Sequence, residues 1–192
     1  GQKVVEARVR TRAKEIVGDL ALAVRMGVDL GVNVAALEGL HRDLNAHLAS
    51  GRVAEIVATR DRAARVLADA AEPLIGLVRG RIAAAQGLKI DVDEMNDFVR
   101  RARMAIGVQN YHEGLRLLNE GNERAGKSST MHRQAYNAIA TAAAFVAEAK
   151  KRNVDVSKVV EMLIDAKKAF EQVDFERALQ LASVARSETD KL

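Results

Sequence analysis

Three stretches of this 192-residue chain read alike: Gly31-Val32-Asn33-Val34-Ala35, Lys89-Ile90-Asp91-Val92-Asp93 and Asn153-Val154-Asp155-Val156-Ser157. The second and third carry an aliphatic residue, Asp and Val ahead of a helical pattern, and the first carries Asn in place of Asp. The correspondence continues downstream through Leu37, Met95 and Val159, then Leu40, Phe98 and Met162, then Leu44, Ala102 and Ala166, then Leu48, Ile106 and Phe170. A short polar break follows at Gly51-Arg52-Val53, Gln109-Asn110-Tyr111 and Val173-Asp174-Phe175, and Ile56, Gly114 and Ala178 align after it. Upstream, Ala13, Ala71 and Ala135 align, as do Val17, Ile75 and Ile139, and Val24, Ile82 and Val146. The offsets are 58 and then 64 residues. Self-similarity at a fixed period is the mark of a tandem array, and it dictates how everything else is read.

Within each repeat, apolar residues recur three and four apart, as in Val9, Ala13, Ile16, Leu20, Ala23 and Val24. That spacing lays one stripe along a helix of 3.6 residues per turn. The sequence therefore predicts an all-α chain of three tandem repeats of about 60 residues, near 8–65, 66–129 and 130–190. Each repeat holds three helical segments. The array forms an elongated helical bundle or short solenoid, each repeat packing mainly on its neighbours. Asp93 and Ser157 are expected as N-caps of second helices, and Asn110 and Asp174 as N-caps of third helices. The second and third helices, a few residues apart, are expected antiparallel. Each third helix is expected to run on toward the next first helix, with a cap or kink near Glu72 because Pro73 follows.

Composition agrees with helix. Aromatics are 3% of the chain and Pro occurs once, while Ala, Leu, Arg, Lys and Glu are strong helix formers. No run approaches the 18 apolar residues of a membrane span; the longest, Ala135 to Ala147, is interrupted by Asn137 and Thr141. There is no Cys, which excludes disulfides, thiolate metal sites and Cys nucleophiles. With no signal-peptide pattern read at its start, the expected location is cytoplasmic. A chain starting at Gly1 in place of Met reads as a processed or expressed piece, and so as one part of a larger protein.

The segments Asn110-Tyr111-His112-Glu113-Gly114-Leu115 and Asp174-Phe175-Glu176-Arg177-Ala178-Leu179 resemble the opening of the second hairpin helix in tetratricopeptide-type repeats, and Ala166 to Phe170 fits the helix before it. The period is about sixty residues rather than thirty-four, so the resemblance covers the hairpin of each repeat and not the extra helix. The whole is similar to the three-helix repeats with tetratricopeptide-like hairpins that are common in archaeal proteins. That resemblance implies protein–protein interaction.

Several motifs are candidates for chemistry or binding. Gly121-Asn122-Glu123-Arg124-Ala125-Gly126-Lys127-Ser128 satisfies the phosphate-loop pattern literally, in which glycines expose backbone N–H groups, Lys reaches phosphate and Ser holds a metal. The six extra residues of the longer offset fall here, between about Leu117 and Gln134. No strand precedes the motif, so the plainer expectation is a longer connector: Gly126 ends one helix and Ser128, Ser129 or Thr130 caps the next. Gly126, Lys127 and Ser128 remain candidates for loose phosphate binding at such a helix start.

Arg100, Arg101 and Arg103 form a basic cluster suited to nucleic-acid phosphates, with Arg116 and Arg124 further along. The net charge is only +4, from 30 basic residues (20 of them Arg) and 26 acidic. Those charges are interspersed, as on a solvated helix face. The four histidines, His41, His47, His112 and His132, are not spaced as ligands, so no metal is expected. Asp91, Asp93, Glu94 and Asp97 cluster locally, the first two in a turn with capping duty, and that reading is favoured over a catalytic pair. The triplets Ala83-Ala84-Ala85 and Ala142-Ala143-Ala144 allow close helix approach, within the fold or to a partner. No catalytic constellation or cofactor motif other than the phosphate-loop match emerges. The expected function is a non-enzymatic interaction or scaffolding module with a protein partner; nucleic-acid association through the Arg-rich faces is the alternative, and nucleotide or phosphate binding a minor one.

Overall fold

The computed structural model describes residues 2–191 and is all-helical, with no strand among the described residues. Seven helices run α1 (Gln2–Asp29), α2 (Ala35–Ser50), α3 (Val53–Gly87), α4 (Asp93–Gly107), α5 (Tyr111–Lys151), α6 (Ser157–Glu171) and α7 (Phe175–Thr189). They divide into two compact units, one formed by residues up to 84 with 92–125, the other by 85–91 with residues from 126 onward. In the first, α1 packs on α2; in the second, α6 packs on α7.

The turns carry the most regular geometry. Gly31, Lys89 and Asn153 all have positive φ, at 74°, 63° and 59°. In each case the next residue's N–H reaches back to a helix carbonyl: Val32 to Gly27 at 2.7 Å, Ile90 to Ala85 at 3.3 Å and Val154 to Ala149 at 3.2 Å. That is the left-handed helix stop that satisfies carbonyls otherwise left orphaned. Gly51, Gln109 and Val173 form a second set, with φ of 71°, 60° and 64°. Val173 is the costliest of these, because a β-branched side chain crowds the backbone in the left-handed region.

Helix starts follow two rules. Asn110 Oδ1 accepts from the Glu113 N–H (3.3 Å) and Asp174 Oδ1 from the Arg177 N–H (3.1 Å), the N-caps the sequence predicts. The second helices start differently. Val34, Val92 and Val156 occupy the N-cap position and offer no side-chain bond. The side chain one residue earlier acts instead: Asn33 Oδ1 accepts from Ala35 N–H, and Asp155 Oδ1 from both Ser157 N–H and Oγ–H. Asp93 and Ser157 are therefore the first residues of their helices, not the caps. The Val is at the cap because its side chain is needed in the core, where the three are 8%, 5% and 5% exposed.

Pro73 does not end a helix. α3 runs through it for 35 residues, and Ala71, Leu74 and Ile75 around it are all buried. Burial of that face outweighs the one backbone bond Pro removes. The core of the first unit is built from stripes at helical spacing, such as Ala13, Ile16, Leu20 and Ala23 of α1 and Leu37, Leu40 and Leu44 of α2. In the second, Ala142, Val146, Val156, Val159, Leu163 and Ala185 form one buried cluster. Many buried positions are Ala, so helix backbones approach closely. Each alanine triplet turns one member inward, Ala85 and Ala142, both fully buried.

Candidate interaction surface

The phosphate-loop match lies inside α5, an unbroken helix of 41 residues. The expected connector, with a stop at Gly126 and a new cap at Ser128, Ser129 or Thr130, does not occur. The backbone N–H groups of Gly126, Lys127 and Ser128 face helix carbonyls, so none is presented to an anion. Of the motif's other residues, Gly121, Asn122 and Ala125 are buried. A Cβ on Gly121 would sit 3.4 Å from the Met95 carbonyl oxygen and 3.5 Å from Phe98 Cβ, ordinary contact distances, so α5 lies against α4 at this point. Arg124 pairs with Glu94 and lies over the Phe98 ring, 5.1 Å from its centre.

Asn122 is 1% exposed and belongs to a polar network that local motifs do not reveal. Its Nδ2 donates to Asp29 Oδ2 at 2.8 Å, and its Oδ1 accepts from Arg81 Nη1 at 3.0 Å. Arg81 also pairs with the Asp29 carboxylate and donates from Nη2 to the Asp29 carbonyl at 3.1 Å. Three helices, α1, α3 and α5, are tied at one point. The hydrogen bond from Arg81 holds the Asp29 carboxyl below its ordinary value; burial opposes this, and the Asn122 amide and the Arg81 charge add to the lowering. A second tie joins α1 to α5, where His112 Nδ1 lies 2.7 Å from Asp19 Oδ1. Asp19 is 4% exposed, while the His112 side chain is largely in solvent. The available signal was a polar residue on an apolar stripe: Asp19 follows Ile16 by three, and Asn122 follows Leu118 by four.

The predicted arginine cluster is exposed but not free. Arg100 and Arg101 share Asp97, and Arg103 reaches Glu72 of α3 at 3.3 Å. Arg116 pairs with Glu113 and Glu120, and its hydrogen bond lowers the Glu113 carboxyl. Asp97 and Glu94 thus serve ion pairs rather than caps. The histidines are scattered: His41 lies beside Asn45, His47 Nδ1 is buried without a partner, and His132 packs on Phe170 and Phe175. Among the described residues no group of His, Asp and Glu is arranged to hold a metal. No described helix is long and apolar enough to cross a membrane.

What the first unit does present is an open groove. It is lined by Arg79 of α3 and by Asn96, Val99, Arg100, Arg103 and Met104 of α4. No known family, curated protein or solved structure matches the chain.

Proposed function

We propose that this chain is a non-enzymatic protein-interaction or scaffolding module, made of three tandem helical repeats near 8–65, 66–129 and 130–190. The repeats stack as an elongated bundle or short solenoid. Two kinds of observation support the repeat. The left-handed turn residues recur at the same 58- and 64-residue offsets as the sequence match. Side-chain contacts recur at the 64-residue offset with their chemistry changed. Arg81 meets Asn122, and at the equivalent positions Arg186 lies over Phe145, 5.0 Å from the ring centre. Glu94 pairs with Arg124, and the equivalent positions, Lys158 and Glu188, again carry opposite charges.

The interaction reading rests on one observation above all: Met104 of α4 lines the open groove yet is 64% exposed, and Val108, just past the end of α4, is 77% exposed. Exposed apolar side chains grouped at a groove mark a partner surface more often than chance does. Affinity capture from a lysate, run with and without nuclease, tests it. Proteins retained after nuclease are expected. Retention that disappears with nuclease would move Arg100, Arg101 and Arg103 to a nucleic-acid role and overturn the reading. The repeat arrangement has its own test in small-angle scattering. A compact sphere-like chain of this length has a radius of gyration of about 16 Å, and an elongated array is expected well above it.

A further inference from the structure

We infer that the groove between α3 and α4 is the docking site for an acidic amphipathic helix of a partner protein. This rests on the interaction reading above and names its surface and the chemistry of the partner.

Shape comes first. The Arg103–Glu72 pair shows that these positions of α4 and α3 face each other. Gly76 and Arg79 follow Glu72 by four and seven residues, so all three lie on one stripe of α3. A Cβ on Gly76 would meet nothing within 4 Å, and the same holds for Gly80, one turn on. Gly76 therefore puts no side chain on the stripe between Glu72 and Arg79, next to the groove. A small residue there admits a third helix at close approach, as small residues do wherever helices pack tightly.

Chemistry selects the occupant. The lining side chains include three arginines and no carboxylate. Arg79 is exposed and has no ion pair among the described residues. Arg100 and Arg103 are held only by exposed carboxylates, and exposed pairs hold little energy and exchange readily. Between the charges, Val99 is buried in the floor and Met104 stands out in solvent. Met is the side chain best able to remould around a partner's apolar residues. A helix with apolar residues at i, i+3 or i+4, and i+7 covers Val99 and Met104, and acidic flanks meet the arginines. A nucleic acid fits less well: no aromatic lines the groove to stack on a base, and Met104 would lie against phosphates.

The test is selection of a displayed library of helical 18-residue peptides, randomised on one face, against the intact protein. Enriched peptides are expected to be richer in Asp and Glu than the library, with apolar residues at helical spacing. Two variants locate them. Arg79→Glu with Arg100→Glu and Arg103→Glu reverses the charge, and Gly76→Leu adds bulk beside the groove at a position whose Cβ meets nothing within 4 Å. Each is expected to weaken the selected peptides by about tenfold or more, with circular dichroism unchanged. Peptides that bind both variants as tightly as the parent dock elsewhere; the groove proposal then fails while the interaction reading stands. No enriched peptide, with proteins still captured from a lysate, has the same meaning. No enriched peptide and no captured protein would end both. Binding of a 20-base-pair duplex that is lost in the triple variant but kept in Gly76→Leu would assign the arginines to phosphate and overturn the proposal.

Discussion

Asn122→Ala removes the amide that joins α5 to Asp29 and Arg81, and the structure sets the size of the effect. Asn122 is 1% exposed, so water does not replace what it loses. A hydrogen bond to a charged partner contributes about 1.5–3 kcal/mol when well buried. Here the Asp29 side chain is 51% exposed and that of Arg81 27%, so each of the two bonds is discounted to about 1 kcal/mol. With the small cavity left by the amide, the expected loss is about 2–3 kcal/mol at neutral pH. The pH dependence follows from Asp29. Its carboxyl is lowered in the folded chain, chiefly by the Arg81 hydrogen bond. A lowered carboxyl contributes stability that is present above the unfolded value near 3.9 and is lost as pH falls through the folded one. The penalty of Asn122→Ala is therefore expected in full at pH 7 and diminished as pH falls through the lowered folded value, where the neutral carboxyl binds the amide less strongly. Urea unfolding followed by circular dichroism at pH 7 and through the acid range measures it. A loss under about 0.5 kcal/mol at pH 7 would falsify the claim that this network holds α1, α3 and α5 together.

Glycines on two helices should respond oppositely. Gly39→Ala meets nothing within 4 Å and is expected to stabilise by about 0.5–1 kcal/mol through helix propensity. Gly27→Ala drives a Cβ into Val34 Cγ1 and is expected to destabilise by about 1–2 kcal/mol net of that gain; thermal melts of the pair check both. Arg124→Glu sets a like charge against Glu94, and adding Glu94→Arg should recover about 0.5–1 kcal/mol, read from a double-mutant cycle. Lys127→Ala should leave stability within about 0.5 kcal/mol and leave inorganic phosphate binding by calorimetry unchanged, since the surrounding N–H groups lie within a helix. A clear fall in phosphate affinity would return the segment to the candidate sites.

The sequence by itself determined what is local. Apolar spacing marked the helix stripes, and Asn110 and Asp174 announced their own caps, because a cap is a bond between a side chain and an N–H three residues on. The turns at residues 31, 89 and 153 were placed by a matching five-residue pattern, although Lys89 and Asn153 carry no glycine to advertise a positive φ. What the tertiary structure decided is whatever depends on distant partners. Pro73 and the Gly121–Ser128 segment carry helix-breaking signals of about 1–3 kcal/mol per residue. Both continue as helix because the faces on which they lie are packed: Ala71, Leu74 and Ile75 around the proline, and Asn122 and Ala125 within the segment. The partners of Asn122 are 41 and 93 residues away, and no local pattern encodes that distance. The arginines at 100, 101 and 103 read as a free basic patch only until folding brings Glu72 to Arg103 and the helical turn brings Asp97 to the other two. Local periodicity is written along the chain, whereas the pairing of charges and the fate of a weak breaker are settled by what the fold places opposite them.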